Sequence, residues 1–81
     1  MTLPLAADGL DGALLGLGTQ GPHVLLIYDL AAVRALLVTQ GCAEDEVEEY
    51  IAYNIIGAWV GPGTPVFVER MTMDEAAERL R

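Results

Sequence analysis

The clearest hydrophobic run along the chain is HVLLIY at residues 23–28, bounded by Gly-Pro before and Asp29 after. A short aliphatic run between such breaks predicts a buried strand. Asp29 is then placed as the N-cap of a helix from Leu30 to about Gln40, accepting a bond from an orphan amide. Gly41 stands where a left-handed residue ends such a helix. A second, longer helix is predicted over 43–60. Its apolar positions Val47, Tyr50, Ile51, Ile55 and Ala58, with Asn54 among them, follow the i, i+3, i+4, i+7 spacing of one helical face. Gly61-Pro62 stops it. Residues 65–70, PVFVER, predict a second strand. Thr72-Met73-Asp74-Glu75 fits a capping box that opens a last helix over 73–80. At the start, Asp8 is expected to cap a short helix over 9–16 with Leu10, Leu14 and Leu15 inward, although three glycines there each cost about 0.5–1 kcal/mol relative to Ala. Residues 18–22, GTQGP, read as a break.

The predicted order is α-β-α-α-β-α within a single domain spanning 1–81. The fold class is a small α+β domain with a two-stranded sheet, and helices 30–40 and 43–60 form its bulk and core. Two strands alone make a marginal sheet, so helices must cover it. The second half of the long helix, IAYNIIGAWV, has Asn54 as its only strongly polar member. A helix apolar around its whole girth is enclosed in a core or covered by another chain. An 81-residue domain has few layers to enclose it, so a homodimer is expected. Asn54 is expected as a satisfied core amide or as a contact in a small-molecule pocket. Gly57, costly in mid-helix, is expected to admit another backbone, such as a symmetry-related helix.

Composition narrows the function classes. The chain is 53% hydrophobic, which excludes intrinsic disorder. With Cys42 as its only cysteine it is no disulfide scaffold. Twelve acids face four basic residues, all arginine, for a net charge of -8. That disfavours direct nucleic-acid binding. The most apolar window, 24–38, is interrupted by Asp29 and Arg34 and is too short to span a bilayer. The first eighteen residues lack the basic start of a signal peptide. A cytoplasmic protein with no membrane association is expected.

Candidate chemistry is sparse. His23 and Cys42, each the only one of its type, fall on different elements, and neither a zinc site nor a nucleophile–base pair can be assembled. The acids of 44–49 lack the ligand spacing of a calcium loop and read as a helix start that complements the helix dipole. Gly16, Gly18 and Gly21 have G-x-G-x-x-G spacing but precede a strand instead of following one, so they do not form a nucleotide loop. No catalytic residue, metal ligand or cofactor is therefore assigned, and the protein is expected not to be an enzyme. The interaction candidates are Glu44, Asp45, Glu48, Glu49, Tyr50, Tyr53, Asn54 and Trp59. The acids can attract basic surfaces, and Trp59 is of the type that anchors interfaces.

Residues 46–68, EVEEYIAYNIIGAWVGPGTPVFV, resemble a pattern in small uncharacterised proteins of tailed bacteriophages and prophages. The shared features are Glu46, Glu49-Tyr50, Tyr53-Asn54, Gly57-Ala58-Trp59-Val60-Gly61 and Thr64-Pro65-Val66-Phe67-Val68. The strand and helix start IYDLAAVRALL at 27–37 is similar as well. The resemblance implies a phage-related origin in a host bacterial cytoplasm and assigns no catalytic residue. The expected function is protein–protein interaction with a host or phage protein, including inhibition of a host enzyme or defence complex. The alternatives are a homo-oligomeric structural or accessory role in the phage, and a small-molecule binder using Tyr50, Tyr53 and Asn54.

Overall fold

A computed structural model describes residues 4–7 and 9–81. A 3₁₀ turn, Asp11–Ala13, leads into β1 (Leu14–Gln20) and β2 (His23–Asp29). Next come helices α1 (Leu30–Thr39) and α2 (Glu44–Ile51), with α2 continuing into a π turn, Ala52–Ile56. Strand β3 (Val66–Val68) and helix α3 (Met73–Arg79) complete the chain. The fold is mixed α+β as expected, but the sheet has three strands in the order β1-β2-β3.

The extra strand is a correction at the N-terminal end. Residues 14–16 do not end a helix and 18–20 are not part of a break; 14–20 form a hairpin with β2, antiparallel, pairing Gly16 with Ile27 through to Gln20 with His23. Gly21 supplies the positive φ, +56°, that the first central position of a type II′ hairpin loop takes. Pro22 fills the second place. Local helix propensity at 9–16 was poor because of its glycines, and strand pairing to an aliphatic partner wins. Leu10 is buried as expected, whereas Leu14 and Leu15 are exposed. The proposed cap at Asp8 lies outside the described residues.

Strand β3 runs parallel to β2, matching Ile27, Tyr28 and Asp29 with Val66, Phe67 and Val68. A parallel pair needs a long crossover, which α1 and α2 supply. The core forms where these elements meet: Tyr28 from the sheet, Leu30, Val33 and Leu37 from α1, Val47 and Ile51 from α2, Ile55 from the π turn, and Leu10 and Ala13 from the start. The α1 and α2 residues recur three and four apart, so each helix turns one stripe inward.

Tyr28 is the hub, only 1% exposed. Its ring stacks on Phe67 at 5.5 Å between centroids. Its hydroxyl accepts the Ala7 backbone N–H at 3.0 Å, fastening the N-terminal segment to the core. Asp29 follows at the end of β2 and caps α1 as expected, accepting from the Ala31 N–H at 3.2 Å. The same carboxylate accepts from Arg70 at 2.7 Å. The capping box at Thr72 and Glu75 is present, with both reciprocal bonds. Helix α3 nonetheless buries no residue.

Removing the Tyr28 hydroxyl by Tyr28→Phe keeps the ring stack but leaves the Ala7 amide unpaired. The expected cost is about 1 kcal/mol, with faster hydrogen exchange at Ala7; an unchanged exchange rate there contradicts the assignment. The Arg70 hydrogen bond, followed by its charge and the α1 amides, holds the Asp29 carboxyl below its ordinary value of 3.8 against the opposing effect of burial. In acid the unfolded chain therefore binds the Asp29 proton first. The stability from this group is complete above about pH 4 and is lost as pH falls through the lower folded value. Asp29→Asn should flatten that part of the stability–pH curve, as followed by denaturant unfolding from pH 5 downward.

Candidate interaction face on the second helix

Helix α2 starts without a side-chain cap, since Ala43 has none to offer. Glu44, Asp45 and Glu46 occupy its first turn, where carboxylates favour the positive end of the backbone dipole. The inward stripe continues as Val47, Ile51 and Ile55. Between Ile51 and Gly57 the helix loosens into a π turn, and the Gly57 N–H bonds five residues back to the Ala52 carbonyl at 3.0 Å.

That turn corrects three expectations. The long helix does not reach residue 60; it ends at Gly57. Asn54 is exposed and is not a core amide, because the wider turn takes it off the phase set by Val47, Ile51 and Ile55. Gly57 is close to a backbone, but within its own chain: an added Cβ would lie 2.8 Å from the Ala52 carbonyl oxygen. No symmetry-related helix is needed to account for this glycine.

Beyond Gly57 the chain turns through 58–65. The Val60 N–H donates to the Thr64 hydroxyl at 2.9 Å, and Gly63 accepts from the Leu5 N–H at 3.0 Å. The π turn and this loop together leave large apolar side chains outside. Trp59 is 73% exposed, Tyr53 75%, Val60 63% and Ile56 57%. The π turn divides two hollows, with Ile55, Thr64, Pro65 and Phe67 shared by both walls. One, of about 460 Å³, is lined by Trp59, Ile56, Leu25, His23 and the prolines Pro62 and Pro65. The other, of about 490 Å³, lies beside the N-terminal segment and is lined by Tyr50, Asn54, Val60, Leu5, Leu37 and Gln40.

The structure thus brings Tyr50 and Asn54 to one hollow and Trp59 to the other, while Tyr53 lines neither. Glu44, Asp45, Glu48 and Glu49 are all exposed on α2. Glu48 differs from the rest, since its carboxylate holds Arg34 of α1 and reinforces the positive charge there. The other three arginines are also engaged: Arg70 with Asp29, Arg79 with Glu69 and Arg81 with Glu78. Glu44, Asp45, Glu46 and Glu49 have no ion-pair partner among the described residues. No paired cation offsets these four carboxylates on α2.

The interaction candidates left out Ile56, Val60 and Gln40, although the apolar run 51–60 that holds the first two was expected to need cover. Gln40 donates to the Gly9 carbonyl at 3.1 Å and so closes one end of the second hollow. No signal in the sequence pairs residues 31 positions apart. His23 stands in the first hollow with its buried Nδ1 unpartnered, and Cys42 is half-buried at the start of α2. Among the described residues no group of three or more His, Cys, Asp or Glu is arranged to hold a metal ion. No helix there is long and apolar enough to cross a membrane. Comparison with protein-family models, curated proteins and solved structures finds no match.

The geometry of Gly57 sets where Trp59 sits. Gly57→Ala drives a methyl group against a backbone carbonyl that cannot swing aside. Overpacking of this kind costs about 1–3 kcal/mol, and the fluorescence maximum of Trp59, the sole tryptophan, should shift. A variant as stable as the parent with an identical spectrum contradicts the close approach.

Proposed function

We propose that this protein acts by binding another protein through the face that α2 and the π turn present. The observation carrying this reading is the succession, along α2, the π turn and the loop that follows, of unpaired carboxylates (Glu44, Asp45, Glu46, Glu49) and exposed apolar side chains (Tyr53, Ile56, Trp59). Apolar anchors contribute most of the affinity in an interface, and surrounding charge steers encounter and selects the partner. The matching partner has a basic rim around an apolar pocket or knob. The resemblance to phage proteins directs the search to bacterial host proteins, and blocking a basic cleft of a host enzyme or defence complex is the form of inhibition that such a face can perform.

The hollow beside Tyr50 and Asn54 favours a second reading, a binder of a small neutral molecule. Its walls are apolar and its few polar groups are uncharged, the pattern of a ligand site. A ligand-induced rise in melting temperature that Asn54→Leu abolishes supports this reading.

The first reading is tested by capture from bacterial lysate on immobilised protein. A stoichiometric partner should be retained by the parent chain, lost with Trp59→Ala, and weakened at least tenfold when Glu44, Asp45 and Glu49 are together changed to Arg. Binding should also fall as salt rises. Glu48 is left intact because reversing it would disturb Arg34. A partner held equally by all three proteins overturns the proposal.

A further inference from the structure

Among the described residues, strand β1 forms one edge of the sheet. Its outer row of backbone donors and acceptors faces away from β2, a template for another strand. Edges of this kind are ordinarily guarded by charge or proline. This one reads LLGLGTQ and contains neither. From Leu14 to Tyr28 the whole hairpin lacks Asp, Glu, Lys and Arg, in a chain whose net charge is -8. Leu14, Leu15 and Leu17 are exposed along it, Leu17 at 66%.

We propose that β1 pairs antiparallel with β1 of a second copy about a two-fold axis, giving one continuous six-stranded sheet. Charge selects this occupant. Two bodies each at -8 can meet closely only across a surface free of carboxylates, and the hairpin is such a surface. A basic foreign protein finds its complement on α2 instead. The register follows from the strand itself. Pairing with β2 is irregular between Leu14 and Gly16, a bulge that blunts that end of the edge. The regular stretch is therefore Gly16–Gln20, and a two-fold through its midpoint sets Gly18 against Gly18 and Leu17 against Thr19 of the other copy. On the face carrying Gly18, the Ile27 side chain already occupies the space of the missing Cβ, 2.6 Å from where that atom would be. On the other face the two Leu17 side chains become diagonal neighbours, about 7–8 Å apart at their backbones and within reach of long side chains. Of this stretch only Gln20 also lines the hollow beside Ile56 and Trp59.

Sedimentation velocity of the full chain from 1 to 500 µM should show a species of twice 8.6 kDa at the upper concentrations. Leu17→Glu and Leu17→Lys should each weaken self-association at least tenfold by placing like charges near one another across the axis. An equimolar mixture of the two should regain it as a heterodimer. Leu17 is exposed, so thermal melts of the dilute variants should match the parent. Amide exchange at residues 16–20 should slow as concentration rises. A chain that stays monomeric throughout overturns the proposal. So does a dimer that survives both Leu17 substitutions, or one that Trp59→Ala abolishes while Leu17→Glu leaves it intact.

Discussion

The Asp29 carboxylate is where the three kinds of structure in this protein meet. It ends β2, caps α1 through the Ala31 amide and accepts from Arg70 just past β3. Its position is enforced by the residue before it. Tyr28 is buried to 1% and cannot turn outward, so the next side chain must leave the strand toward the helix start. The parallel register of β3 then brings Val68 alongside Asp29, and two residues later Arg70 arrives at the same carboxylate. Without that junction, strand and helix would still form locally, but the crossover that makes the sheet three-stranded would lose its fixed corner.

Around this junction the chain divides its charge and its apolar surface unevenly. Every arginine is in an ion pair, and only Arg34 offsets an acid of α2, Glu48. Exposed pairs of this kind contribute about 0–1 kcal/mol each. Their larger consequence is that no arginine is left unpaired. The apolar excess goes to two separate places, the π turn with Trp59 and the uncharged β1 edge. The first follows in sequence on the acids of α2, whereas residues 14–28 carry no Asp, Glu, Lys or Arg.

Helices are legible where caps and periodicity agree. Asp29, Gly41 and the Thr72–Glu75 box mark helix ends within one or two residues, because a cap is a local bond between groups a few positions apart. The strand at 23–29 is legible because an aliphatic run between breaks has few alternatives. The hairpin partner at 14–20 was hidden by the same residues that form it. Its glycines weaken helix and strand alike, and only pairing with β2 decides between them. Asn54 illustrates the opposite failure. Ideal helical spacing put it on the apolar stripe, and one wide turn moved it to the surface.

The amino-acid sequence on its own determined the α+β class, the helix caps, the acidic start of α2 and the surplus of apolar side chains over what so short a chain can enclose. All of these depend on neighbours in sequence or on simple totals. Tertiary structure alone decided that Leu14–Gln20 is an uncharged sheet edge, that Tyr50 and Trp59 open onto different hollows and that Gly57 packs against its own helix. Each of these depends on contacts between distant segments or on the phase of a single irregular turn. Those energies are set only when the whole core closes around Tyr28.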